Sequence, residues 1–169
     1  MAEAERDRVL EIIVRSKAQL VELGYEEVAI ETFHELLVEL LEGLFDMSRE
    51  SLLAAFQESG NSDYYTWFMR LLTAGAIRGQ AARFLPFLSD DVAHQLVAVD
   101  EADAAAASQA ILRYCQQEVE PMGRECEQVH ITALAEALNV VIRVEYLDGR
   151  YMHLSPASHS PHLTLKQAV

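Results

Sequence analysis

The chain has 169 residues, 51% of them hydrophobic, with 27 acidic and 13 basic side chains and a formal net charge of −14. That length suits one domain with a sizeable core, and the apolar share argues against disorder. The charge repels phosphate backbones and no Lys/Arg cluster offsets it locally, which excludes nucleic acid as a partner; a basic protein surface is compatible with it, as is a plain solvated acidic surface. No apolar run is long enough to span a bilayer, so no membrane is expected as a partner. The start, MAEAERDRVLEIIV, carries acids and no cleavage pattern, so it does not read as a signal peptide. Cys115 and Cys126 make no disulfide framework, which points to a reducing compartment, cytosol or nucleus. The chain has neither a phosphate-binding glycine loop nor a nucleotide fingerprint, and no cofactor is expected.

Val9, Ile12, Ile13, Leu20 and Leu23 suit a helix ending at Gly24 in a left-handed cap. Leu10, Val14 and Val21 widen its apolar face, which predicts cover on more than one side. Phe33, Leu36, Leu37, Leu40, Leu41 and Leu44 then repeat at i, i+3, i+4, i+7, i+8 and i+11, with Glu31, Glu35, Glu39 and Glu42 mostly opposite. This is an amphipathic helix. Ser48 suits the cap of a short helix burying Leu52, Leu53 and Phe56. SGN at 59–61 breaks it, and Asn61 or Ser62 caps a longer helix holding Tyr64, Phe68, Leu71 and Leu72. Gly75 and Gly79 weaken that helix, and Pro86 limits its continuation.

Residues 97–110, VAVDEADAAAASQA, are low in complexity and read as an Ala-rich surface insertion leading into a helix near Ile111–Glu118. Ile131, Leu134, Ala135 and Leu138 repeat at helical spacing and stop at Asn139. The period then becomes two: Ile142, Val144 and Tyr146 face one way, Arg143 and Glu145 the other, which is a strand. Asp148-Gly149 signals a turn, with Tyr151–Leu154 as a returning strand. The tail 155–169 is loop-like apart from HLTL at 162–165. The fold class is α+β, mostly helical with a small, incomplete β-sheet, in a single domain over 1–169.

Four segments together resemble the otubains, deubiquitinases of the OTU superfamily with a papain-like cysteine-protease fold. They are SKAQLVELGYEEVAIETFHELLVELLE, NSDYYTWFMRLLTAGAIR, CQQEVEPM, and HITALAEAL followed by VEYLD, in the family's order and approximate spacing from Ser16 to Leu147. The Ala-rich stretch before Ile111 departs from the pattern. The resemblance implies hydrolysis of isopeptide bonds to ubiquitin by a cysteine thiolate at a helix N-terminus, with a histidine as base and acid. It also implies that equipment is missing. The family's GDGNC-type nucleophile box would precede Met1, and its terminal GHYDI-type strand is replaced, after HLTL, by KQAV. The expectation is therefore a partial otubain-like domain truncated at both ends, missing its nucleophile helix and last strand, with no catalytic residue of its own. A frame, splice or gene-model truncation would account for it.

Glu125 matches an acidic otubain position close to the catalytic histidine, and Gln128 a position near the ubiquitin-facing surface. With His130 they form the expected ubiquitin-facing or active-centre-adjacent loop; the plain alternative is a solvated loop with His130 packed at a helix start. Cys115 matches a non-catalytic position and reads as a buried structural thiol. Cys126, four residues before His130, forms a pair the family does not use for catalysis. No CxxC occurs, His34, His94, His153, His159 and His162 are scattered, and no metal site is expected. Tyr64 and Trp67 read as core before contact surface. Whether the chain is an enzyme stays open, and three readings follow: part of a ubiquitin thioesterase, inactive alone; a non-catalytic module binding ubiquitin, polyubiquitin or ubiquitin-conjugating enzymes; or an unstable product with exposed apolar faces and open strand edges.

Overall fold

The computed structural model describes residues 3–58, 60–84, 87, 104–146 and 163–167. The first helix, α1 (Glu3–Glu22), buries Val9, Ile13, Ser16 and Leu20 on one line. It ends as expected at Gly24, whose φ of +93° suits a residue without Cβ. Gly24 N–H donates to Val21 O at 2.9 Å and Tyr25 N–H to Leu20 O at 3.1 Å, which is the Schellman arrangement. Cover on more than one side does not occur: Val14 is 50% exposed and Val21 37%, because α1 packs along a single line against α2 and α4.

Helix α2 (Glu27–Gly43) is the amphipathic helix of the sequence reading, with Ile30, His34, Leu37, Leu40 and Leu41 inward. Phe33 and Leu36 pack at the edge of the core. His34 takes a central place because its Nε2 lies 3.1 Å from Ile13 O, so burial leaves that nitrogen bonded.

Ser48 caps α3 (Arg49–Gln57) as expected, accepting from Ser51 N–H at 3.1 Å. Burial of Leu52, Leu53 and Phe56 does not follow. Leu52 is partly buried, while Leu53 is 51% and Phe56 45% exposed. The helix packs chiefly on α4, so only one line of its side chains meets the core.

Helix α4 (Asn61–Gly79) is the spine of the molecule. Its N-cap is Gly60, at φ +96°, and neither Asn61 nor Ser62, both of which lie inside the first turn. It buries Tyr65, Phe68, Leu71, Leu72, Thr73, Ala74 and Ile77. Gly75 does not interrupt it. A Cβ at that position would stand 3.1 Å from Leu20 Cδ2 and 3.4 Å from Leu23 Cδ1, so the glycine lets α1 approach closely.

A short α5 (Ala81–Phe84) follows, and α6 (Ala104–Tyr114) passes into a π-helical turn over Cys115–Val119, closed by Glu120 N–H to Cys115 O at 2.9 Å. Helix α7 (Gln128–Ala137) packs on α4 and buries Val129, His130 and Ala133. The expected stripe of Ile131, Leu134 and Ala135 is only partly buried, because the face turned to α4 carries a paired histidine and a small alanine that an apolar count passes over. Leu138 is buried, and Asn139, at φ +51°, ends the helix as read.

Strand β1 (Ile142–Tyr146) matches the sequence reading. Its partner β2 (Leu163–Gln167) runs parallel, in register from Ile142↔Leu163 to Tyr146↔Gln167. The strand signal in HLTL is thus real at 163–165. The Asp148-Gly149 turn, the Tyr151–Leu154 strand, Pro86 and residues 97–103 lie outside the described residues.

Two apolar clusters make up the core. One joins α1, α2, α4 and Leu138; the other joins the C-terminal half of α4 to Phe84, Ile111, Tyr114, Cys115, Val119, Val129 and Ala133. The fold is α+β, helical with a small sheet, and α4 belongs to both clusters.

Candidate functional site

The segment from Val119 to His130 connects the π-helical turn to α7, and its placement begins with His130. Glu127 and His130 form a reciprocal capping box: the Glu127 side chain accepts from His130 N–H, and His130 Nδ1 accepts from Glu127 N–H at 3.2 Å. Because Nδ1 accepts, the neutral ring carries its proton on Nε2, which donates to the Tyr114 hydroxyl oxygen at 2.7 Å. Burial pushes the His130 pKa below its ordinary 6.5, and Arg70 pushes the same way against Glu127 and Glu118. Tyr114 is held protonated, its pKa raised by burial first and by Glu127 next.

A second anchor comes from α4. Arg70 donates from Nη1 to Val119 O at 2.8 Å and from Nη2 to Arg124 O. A third comes from the turn after α1, where the Tyr25 hydroxyl donates to Glu120 Oε1 at 2.6 Å beneath the Arg78 guanidinium, 5.0 Å from the ring centroid. Glu118 and Arg124 add an exposed ion pair at 3.7 Å.

The three residues singled out from sequence are therefore not equivalent. Glu125 and Gln128 are exposed, whereas His130 is 3% exposed and holds the loop from inside. Gln128 borders an open groove of about 500 Å³ shared with Arg83, Phe84, Val129, Thr132 and Glu136. Arg70, Tyr114 and Tyr25 were missed by sequence reasoning. Arg70 stands inside the quoted NSDYYTWFMRLLTAGAIR segment, but its partners lie 49 and 54 residues away.

Neither thiol is equipped for nucleophilic chemistry. Cys115 is fully buried, lies 3.8 Å from Ala74 O, and has its pKa pushed up to about 12 by burial, so it stays a thiol near neutrality. Cys126 is exposed, but both nitrogens of His130 are already engaged, so that ring is not free to serve it as a base. Among the described residues no three metal-ligating side chains converge, and no helix is long and apolar enough to cross a membrane. Trp67 and Tyr64 stack on Phe33 at 4.3 and 5.1 Å, with Tyr64 39% exposed.

Residues 1–167 match the family model described as Peptidase C65 Otubain. The chain is 35% identical over 145 residues to the ubiquitin thioesterase OTUB1 of Homo sapiens, covering 85% of this chain and 47% of that protein. It is 34% identical over 150 residues to the ovarian tumor domain-containing deubiquitinating enzyme 1 of Arabidopsis thaliana, covering 86% and 44%. The chain thus spans about half the length of these curated relatives. A solved complex of ceOTUB1 with ubiquitin aldehyde and UBC13~Ub shares the fold at a TM-score of 0.70 and 21% identity, covering 99% of this chain and 65% of that one. A related h/ceOTUB1 complex with ubiquitin aldehyde and UBCH5B~Ub gives 0.67 at 23% identity, covering 96% and 60%.

Proposed function

Since the chain belongs to the Peptidase C65 otubain family, we propose that it forms the ubiquitin-facing part of an otubain-type ubiquitin thioesterase and by itself binds without cleaving. The observation that carries this reading is the loop at the family-matched position, which presents Glu125 and Gln128 on a frame tied to three helices and the turn after α1. Glu125 faces the active centre of the assembled enzyme, and Gln128 faces bound ubiquitin. His130 contributes from beneath by fixing α7's first turn. The partners are ubiquitin or polyubiquitin, with a ubiquitin-conjugating enzyme as the companion suggested by the OTUB1 complexes. The compartment that suits two unpaired thiols is the cytosol or nucleus.

Incubation of the purified chain with diubiquitin and with a ubiquitin-based cysteine probe is expected to give neither cleavage nor labelling. Stoichiometric labelling of Cys115 or Cys126 would overturn the non-catalytic reading. In a titration of isotope-labelled ubiquitin, resonance shifts are expected; a spectrum in which every signal stays in place would reject ubiquitin as the partner.

A further inference from the structure

We infer, resting on the ubiquitin-facing reading above, that Arg70 is a positioning residue that fixes the turn before Glu125 and so sets the surface offered to ubiquitin. One guanidinium holds two carbonyls, Val119 O and Arg124 O, on either side of a turn that passes through Gly123 at φ +83°. The fork geometry matters. An arginine presents two η nitrogens in a fixed plane, whereas a lysine ammonium on a flexible stem is not pre-organised to span both carbonyls.

The position of the second bond is the important one. Arg124 O is the last point held by Arg70, and Glu127 is the first held by the capping box. Glu125 and Cys126 are the two residues between them, and Gln128 opens α7 immediately beyond. Both candidate contact residues therefore sit next to an anchor. The other holds on this turn act through side chains. Glu118 and Arg124 are 42% and 57% exposed at 3.7 Å, a geometry of little strength in water. Tyr25 reaches Glu120, at the near end of the turn only. A loop already ordered before binding loses less freedom on binding, so the clamp favours association without Arg70 touching the partner.

The test compares Arg70→Ala and Arg70→Lys with the double variant Glu125→Ala/Gln128→Ala in the full chain. Residue-resolved hydrogen exchange, a thermal melt and the labelled-ubiquitin titration are read in parallel. Loss of both charge-assisted bonds in R70A is expected to speed exchange across residues 120–127 by about tenfold or more and to weaken ubiquitin binding by about tenfold. Core amides of α1 and α2 are expected to keep their protection. R70K, able to hold one carbonyl, is expected to fall between native and R70A in both readouts. The Glu125/Gln128 variant is expected to lose binding with unchanged exchange. Unchanged loop exchange in R70A, or unchanged affinity despite faster exchange, would overturn the inference. If R70A unfolds throughout, R70K decides by the same two readouts. A native chain that moves no ubiquitin signal overturns the functional reading and this use of the clamp with it, while exchange separately accepts or rejects the clamp itself.

Discussion

His130 couples the loop to pH. A protonated ring has hydrogens on both nitrogens and can no longer accept Glu127 N–H, and burial already lowers its pKa below 6.5. The unfolded chain therefore takes up a proton first as pH falls. The native advantage is complete above about pH 6.5 and is lost on acidification through the lowered folded value. The urea midpoint is expected to fall between about pH 7 and pH 5, before most carboxylates titrate, and His130→Asn is expected to flatten that fall. An unchanged slope in the variant would place the titration elsewhere. The two cysteines offer a second comparison at this scale. With its thiolate at hand and no cover, Cys126 is expected to react with iodoacetamide in the native protein, and Cys115 only after unfolding. Mass spectrometry of alkylated peptides with and without urea decides it.

Two glycines of α4 behave oppositely for reasons outside the helix. At Gly79 a Cβ meets nothing within 4 Å, so Gly79→Ala is expected to stabilise by about 0.5–1 kcal/mol through helix propensity and a less flexible unfolded chain. At Gly75 the same change presses on Leu20, which is 2% exposed, and crowding of a packed core costs about 1–3 kcal/mol. Gly75→Ala is therefore expected to lower the urea midpoint while Gly79→Ala raises it. Both glycines look alike in sequence, as helix-weakening residues, because the difference belongs to a helix more than fifty residues earlier. The same reasoning marks what is legible elsewhere. The Leu36–Leu41 stripe, the Gly24 stop, the Ser48 cap and strand 142–146 announce themselves through local spacing and turn chemistry. The buried line of α7 does not, since His130 becomes a core residue only once Tyr114 and Glu127 satisfy its ring. Likewise Glu125 and Gln128 were reachable by resemblance, whereas Arg70 owes its role to two carbonyls brought near by folding.

At the scale of the molecule, α4 is shared by two clusters, so damage to its middle reaches both. Phe68 is fully buried in the first cluster, and Phe68→Ala is expected to cost about 3–5 kcal/mol, a large part of the ~5–15 kcal/mol that holds a typical domain. Chemical denaturation followed by circular dichroism measures the loss, and a midpoint within error of native would contradict the shared-spine reading. The net charge of −14 acts over the same distance. Salt screens self-repulsion, so the melting temperature is expected to rise from low to physiological ionic strength.

The π-helical turn at Cys115–Val119 makes chain length itself a coded quantity. Removing one residue there would rewind the turn as ordinary α-helix and rotate everything beyond by about 100°. Glu120 would swing away from Tyr25, and the Val119 and Arg124 carbonyls away from Arg70. A single-codon deletion would thus break contacts with two other elements at once, while a substitution at the same place changes only one side chain. The turn is an address marker: it tolerates changes of letter far better than changes of count.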